Sequence, residues 1–279
     1  MAKDDKPLRI VVALDDSPHA RAALEAAAEM AERMHAELVA IYVEDVDLLH
    51  TAGLPFAVEY SHYATTGRAL DALAMQRRLR MQAERLRRAV GAAASRHHVR
   101  WQFRSARGRV PIELLQAAED AEMLILGKAS GARTRRMRLG TTARLVVTQA
   151  RRTVVILQHG AKLARPVLVP YDGTEAGARA LNLAAQLARS DHGHVVVLLP
   201  RADADTVAKL ETQVKELLAR ANASVRFVAP VSPDLSGLRG AVEREGCRTL
   251  VLDAESRFLA GAPLTELLSE IDCPVVLVR

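Results

Sequence analysis

Short runs of aliphatic and β-branched residues recur along the chain, separated by segments whose apolar residues return every three or four positions. The first two runs, residues 8–14 and 38–43, enclose such a segment, which predicts an amphipathic helix between two buried strands. Ser17 and Pro18 stand where this helix begins, in the positions favoured for an N-cap and for the first helical residue. The further strands predicted in this half are 99–104, 123–126 and 153–157.

The segments between these strands predict the rest of the first half. A long amphipathic helix is expected from residue 69 to about 95, a shorter one from Val110, and another over 142–150. Residues 44–65 are interpreted as a loop of about twenty residues, of the kind that is usually functional or mobile. Strands and helices therefore alternate, and right-handed crossovers would join the strands into a doubly wound parallel sheet.

The second half of the chain repeats the first. A shift of 157 residues places Asp172 under Asp15 and Thr174 under Ser17, while a shift of 121 aligns the final strands, 154–157 and 275–278. The repeat predicts two α/β domains, residues 1–160 and 161–279, each long enough to bury a core.

A candidate anion site follows the strand at 123–126. Gly127 ends this strand, Ser130 and Gly140 continue the loop, and Thr141 and Thr142 open the next helix. Glycines let the backbone approach a phosphate, and the first N–H groups of a helix point toward it. The two threonines are also expected to cap that helix. Positive charge at the mouth of the loop comes from four arginines, Arg133, Arg135, Arg136 and Arg138.

Charge and composition narrow the function classes. Residues 1–160 hold 25 Lys and Arg against 18 Asp and Glu, whereas the remainder holds 14 against 15. A basic first half favours an anionic ligand. Nucleic acid is an unlikely partner, because the densest basic run falls on one predicted helix without aromatic residues for base stacking. That run, read as a solvated helix face, consists of Arg77, Arg78, Arg80, Arg85, Arg87 and Arg88.

Several other sites and locations are disfavoured by the sequence. Cys247 and Cys273 are interpreted as structural thiols, and a metal site at His50 and His62 lacks further ligands. No apolar run reaches the roughly 18 residues of a membrane span, so no membrane partner is expected. A charged N-terminus that leads straight into a strand shows no signal peptide, and a cytoplasmic location is expected.

Taken together, these motifs resemble two fused domains of the universal stress protein family. The residues that carry the resemblance are Asp15 after the first strand, the pair Tyr42 and Val43 in the second, and the glycine loop after the fourth. The resemblance implies an adenine nucleotide alpha hydrolase-like fold with five parallel strands in the order 3-2-1-4-5. It also implies ATP as the ligand, with or without Mg²⁺. The site residues that it implies are Ala13, Leu14, Asp15, Val43, Leu126, Gly127, Ser130, Gly140, Thr141 and Thr142.

The second half departs from this pattern. Asp253 replaces Gly127, placing a carboxylate where a phosphate would lie, and Pro263 replaces Thr142 and lacks an N–H group. ATP is therefore expected in the first domain only, with the second as a built-in partner. The resemblance implies that this partner pairs through its last strand, so strands 154–157 and 275–278 are expected to pair antiparallel and to cover both of their edges within one chain. The substitution Gly127→Asp, which copies the second domain, is expected to abolish ATP binding with little change in thermal unfolding.

The resemblance leaves three functions open. The first is a nucleotide-responsive stress or signalling module, and the second is a scaffold that binds no nucleotide and acts through protein partners. The third is a nucleic-acid binder that uses the basic helix. Weak ATP hydrolysis or autophosphorylation at Thr141 or Thr142 is the enzyme alternative to the first, although no general base can be named near the loop. Pairing of two whole chains is also left open.

Overall fold

The structure is a computed structural model, which describes most of the chain. The described residues are 7–59, 67–128, 139–158, 160–188, 194–219, 223–230, 232, 234–259 and 263–279.

Ten strands of the described chain form one sheet, and two short strands form a separate antiparallel ribbon. The sheet strands of the first half are β1 (Arg9–Leu14), β2 (Glu37–Asp45), β5 (Trp101–Gly108), β6 (Met123–Gly127) and β7 (Thr153–Leu157). The ribbon strands are β3 (Val58–Glu59) and β4 (Arg68–Ala69). The sheet strands of the second half are β8 (Val167–Pro170), β9 (His194–Leu198), β10 (Ser224–Val228), β11 (Thr249–Asp253) and β12 (Val275–Val278).

Helices connect the strands in both halves. Those of the first half are α1 (Pro18–Met34), α2 (Val46–Ala52), α3 (Ala72–Arg96), α4 (Val110–Glu119) and α5 (Thr141–Gln149). Those of the second half are α6 (Glu175–Ala188), α7 (Ala204–Leu218), α8 (Leu235–Arg244) and α9 (Leu264–Glu270), with a 3-10 helix at Arg257–Leu259.

The sheet order is β10-β9-β8-β11-β12-β7-β6-β1-β2-β5. When the five sheet strands of each half are counted along the chain, both halves have the order 3-2-1-4-5 that the family resemblance implies. In the described part of this ten-stranded sheet, all pairs within a half are parallel, and one antiparallel pair joins β7 to β12, with Val155 opposite Val276. The predicted α/β fold and the predicted pairing of the final strands are confirmed.

Strand register confirms the internal repeat. Val11 pairs with Val39 in the first half, and the residues 157 positions later, Leu168 and Val196, pair in the second. The two halves also share their cores, because each of the two hydrophobic clusters contains residues of both halves. One cluster lies between the sheet and α1, α3, α6 and α7, and the other between the sheet and α4, α5, α8 and α9. The boundary at residue 160 remains a prediction.

The predicted loop at 44–65 is wrong over its first part. Strand β2 continues to Asp45, and α2 follows directly, because the Asp45 carboxylate accepts the N–H of Asp47 at 2.9 Å and caps the helix. Residues 60–66, which include His62, lie outside the described residues. The start of α1 agrees with its prediction, since Ser17 is the N-cap and its Oγ accepts the N–H of Ala20 at 3.1 Å.

Candidate functional site

A cleft of about 390 Å³ opens at the carboxyl ends of β1 and β6. These strands are adjacent, yet the chain reaches β6 only after running outward through β2 and β5. Doubly wound sheets bind their ligands where the strand order reverses in this way. The volume lies in the range of small-molecule sites.

The cleft brings together eight of the ten residues named from the sequence: Ala13, Leu14, Asp15, Val43, Leu126, Gly127, Gly140 and Thr142. Thr141 is exposed and does not line it, while Ser130 and the four loop arginines lie outside the described residues. Sequence reasoning missed the walls that the helices supply. The helical residues that were missed are Ala20 of α1, Leu48 of α2, Leu79 and Gln82 of α3, Val110 and Leu114 of α4, and Ala143 of α5.

Asp15 is held in place by the turn that starts α1. Its Oδ1 accepts the Ser17 backbone N–H at 3.0 Å and also the Ser17 hydroxyl. Its Oδ2 makes no hydrogen bond to any described residue. Asp172 and Thr174 repeat the turn in the second half, where Asp172 Oδ1 accepts the Thr174 N–H at 3.1 Å and its hydroxyl at 2.7 Å. The aspartate therefore has a structural part in helix initiation, independent of any ligand.

Gly127 is required by the packing of α1 on β6. A Cβ atom placed on Gly127 would lie 2.7 Å from the Cβ of His19 and 3.3 Å from the His19 carbonyl carbon. His19 is the second residue of α1 and is buried, so any side chain on Gly127 would push this end of the helix outward. This contact contradicts the expectation that Gly127→Asp leaves unfolding unchanged. In the second half, the smaller Ala176 occupies the position of His19, opposite Asp253.

The start of α5 differs from the prediction in its cap. Gly140 is the N-cap, with no side-chain cap bond, so the predicted capping by Thr141 or Thr142 is wrong. The Gly140 N–H donates to the Lys128 carbonyl at 2.9 Å and is not free for a phosphate. The N–H groups of Thr141, Thr142 and Ala143 donate to no described residue, and such groups at a helix start can donate to an anion.

Lys128 follows Gly127 but points away from the cleft. Its side chain is buried, and its Nζ donates to the carbonyl of Ile271 at 3.0 Å and to that of Ser269 at 3.5 Å. Gln158 Nε2 donates to the same Ile271 carbonyl at 2.8 Å. Burial lowers the pKa of Lys128, while the charge of Asp272 opposes this shift. Lys128 thus links the first half to the C-terminal end of α9 in the second half through hydrogen bonds.

Tyr42 lies against the cleft on its α3 side and is 3% exposed. Burial, together with the negative charges of Glu44, Asp16 and Asp15, raises the pKa of Tyr42 to about 12. The phenol is therefore neutral across the physiological range and can act as a hydrogen-bond donor.

In the second half, the position that corresponds to Gly127 at the edge of the cleft holds a buried carboxylate. Asp253 is 9% exposed, and burial raises its pKa, with the charges of Glu255 and Asp172 adding to the rise. Pro263 is the N-cap of α9, which begins two residues later than α5 under the repeat. Residues 260–262 lie outside the described residues. This edge is negative where the first half presents glycine and a free helix terminus.

Apolar side chains also fill the second half differently. Phe258 and Leu259, in the 3-10 helix after β11, are buried in the cluster that includes Leu238 of α8. Helix α8 is the counterpart of α4, whose Val110 and Leu114 line the cleft of the first half. In the second half, Phe258 and Leu259 thus cover the surface of α8, whereas the equivalent surface of α4 in the first half lines the cleft.

The part of the chain that the structure describes supports neither a metal site nor a membrane-spanning helix. No three His, Cys, Asp or Glu side chains there are grouped to hold a metal ion. None of the described helices is both long and apolar enough to cross a bilayer.

Comparisons with known proteins identify the family of the chain and support its fold. Residues 8–158 match the model of the universal stress protein family. A universal stress protein of known structure from Archaeoglobus fulgidus DSM 4304 is 16% identical and superposes with a TM-score of 0.72, covering 97% of this chain and 98% of that one. A protein of unknown function from Pseudomonas aeruginosa PAO1 is 14% identical, with a TM-score of 0.58 and coverage of 98% and 92%. No curated protein sequence matches the chain significantly. At these identities the structural likeness shows the fold.

Proposed function

The chain belongs to the universal stress protein family, and on that premise we propose that it binds ATP in the cleft of its first half and acts as a nucleotide-responsive stress or signalling module. The observation that carries the proposal is the cleft itself, open at the strand-order reversal and bordered by Gly127 and the start of α5. In this proposal residues 1–160 are the binding unit and residues 161–279 its partner.

The walls of the cleft suit the parts of a nucleotide. Val43, Leu114 and Leu126 offer apolar surface to a base, and Asp15 Oδ2 can accept a hydrogen bond from a ribose hydroxyl. The phosphates would lie at the α5 terminus, where the Thr142 hydroxyl and the first-turn N–H groups donate. Mg²⁺, if it takes part, would arrive with the phosphates.

Three residues of the second half are unsuited to binding a nucleotide in this way. Asp253 would repel a phosphate, Pro263 has no N–H to donate, and Phe258 is buried beside α8. We therefore propose one nucleotide per chain.

Calorimetric titration of ATP, with and without Mg²⁺, into the full chain tests the proposal. The matched variants are Thr142→Glu and Thr141→Glu, which add the same charge to the same helix end. A glutamate in the first turn is compatible with the helix dipole, so both should fold. We expect one site per chain, weakened at least about tenfold by Thr142→Glu, which lines the cleft, and much less by Thr141→Glu.

Three outcomes contradict parts of the proposal. Equal losses in the two variants would mean that general charge, not the cleft, controls affinity. Two sites per chain would restore the second half as a binding unit. No heat at millimolar ATP would overturn nucleotide binding and leave the scaffold hypothesis.

A further inference from the structure

Large exposed apolar side chains are concentrated on one side of the first half. Of eleven such side chains among the described residues, six fall between residues 48 and 81. Phe56 is 75% exposed, Leu73 64% and Met81 62%. Clustered apolar exposure of this kind marks an interaction surface more often than single exposed residues do. We call this surface the α2–α3 face, formed by Leu54, Phe56, Val58, Leu73 and Met81.

The turn and the helix that carry this face lie side by side. The N–H of Leu70 donates to the carbonyl of Ala57 at 2.9 Å, which holds the turn containing Phe56 beside the start of α3. On α3, Leu73, Arg77 and Met81 are spaced four residues apart and therefore follow one another along the outer surface. Apolar groups and a guanidinium thus share one exposed stripe.

Three arginines give this stripe an unneutralised positive charge. Arg77, Arg80 and Arg88 are exposed and form no ion pair with any described residue. The other arginines of the outer surface each have a carboxylate within 4 Å: Arg78 with Glu59 at 3.0 Å, Arg85 with Asp16 at 3.9 Å, and Arg87 with Glu84 at 3.8 Å.

The place of α3 in the fold keeps the α2–α3 face clear of the described elements of the second half. Helix α3 packs on β2 and β5, and β5 ends the ten-stranded sheet. The second half joins through β7, four strands away. A broad flat partner can therefore approach it.

We propose that the α2–α3 face docks on the headgroup layer of an anionic lipid bilayer. The face combines exposed apolar side chains with three arginines that form no ion pair with described residues, and this combination complements the acyl boundary and the phosphates of such a bilayer. Phe56 and Leu54 at the turn can enter the acyl boundary, and the arginine stems can lie along it with their guanidinium groups at the phosphates. The expectation of no membrane partner concerned spanning segments, and surface docking needs none.

Sedimentation with vesicles tests this docking on the full chain. The probe is phosphatidylcholine vesicles with about 30% phosphatidylglycerol, at roughly 0.1 M salt, beside vesicles of phosphatidylcholine alone. We expect the chain to sediment with the anionic vesicles only, and to be released at roughly 0.5 M salt. Neutralising Arg77, Arg80 and Arg88 together by Arg→Gln should weaken binding roughly 100-fold. Phe56→Ser should weaken it roughly tenfold.

The matched control removes the same charge elsewhere. Arg144, Arg151 and Arg248 are exposed and form no ion pair with described residues, and changing all three to Gln should leave vesicle binding within about twofold. Equal losses in the two triple variants would overturn the proposal, since attraction would then follow net charge alone. Wild-type chain left in the supernatant with anionic vesicles would also overturn it and point to an acidic protein as the occupant.

Discussion

A single added methyl group at Gly127 tests how tightly α1 and β6 approach each other. In Gly127→Ala the new Cβ would lie 2.7 Å from the His19 Cβ, whereas carbon atoms in contact prefer about 3.5–4.0 Å. The near end of α1 must therefore move by roughly 1 Å. Because Asp15 and Ser17 form the turn that starts this helix, the wall of the cleft moves with it.

Two opposing terms set the size of the effect. Overpacking of this kind costs about 1–3 kcal/mol, and the reduced freedom of the unfolded chain returns about 0.4–1 kcal/mol for glycine to alanine. The expected loss is therefore on the order of 1–2 kcal/mol. For a chain of this size, that corresponds to a fall in melting temperature of roughly 2–8 °C.

Thermal unfolding followed by circular dichroism, without nucleotide, measures this loss. Gly240→Ala is the matched control, because its Cβ would meet only the end of the flexible Arg244 side chain, at 3.0 Å. Gly240 lies within α8, where alanine should raise stability by about 0.5–1 kcal/mol. The same methyl group is thus expected to act with opposite sign at the two positions.

A melting temperature of Gly127→Ala equal to or above that of the wild type would refute the close approach. Gly127 would then be needed only for a ligand, and its replacement should lower ATP affinity without altering the unfolding of the free chain.

Two further predictions concern buried charges. Asp253→Asn should raise the free energy of unfolding near pH 7 by about 0.5–1 kcal/mol, because it removes a buried carboxylate from beside two others. Its raised pKa means that this advantage shrinks as the pH falls through the folded-state value toward 3.8, so equal gains at pH 3 and pH 7 in urea unfolding would contradict it. Lys128→Met should cost about 1–3 kcal/mol through the lost charged hydrogen bonds to α9. Since the pKa of Lys128 is lowered, the wild type should gain on the variant as the pH rises toward 10.5, and a narrowing gap in the same assay would refute this.

Local patterns in the sequence were enough for the framework of the fold. Alternating strands and helices, the Ser17 cap and the repeat at 157 residues led to the doubly wound sheet and its duplication, while the strand order and the pairing of β7 with β12 came from the family resemblance. The short helix α2 was missed because its stability depends on the Asp45 cap at the end of a strand that ran longer than predicted.

The features that could not be predicted from the sequence depend on contacts between residues far apart in the chain. Lys128 stands in the phosphate-loop motif, yet its partner Ile271 is 143 positions away, and no local spacing signals that bond. The close approach of His19 to Gly127 likewise depends on how α1 packs against the sheet. The family resemblance gave eight of the cleft residues, at the carboxyl ends of β1, β2 and β6 and at the start of α5, while the walls from α3 and α4 follow from tertiary packing.

The antiparallel pair at the centre of the sheet sets the order in which the molecule can be completed during synthesis. Strand β7 ends at Leu157, and its partner β12 begins at Val275, 118 residues later. At the usual 5–20 residues per second, a ribosome needs roughly 6–24 s to make that interval. Throughout it, the finished first half exposes an open apolar strand edge, which is a template for unwanted pairing. The nascent chain is therefore most vulnerable to aggregation after its first half has formed, and the emergence of β12 ends that exposure.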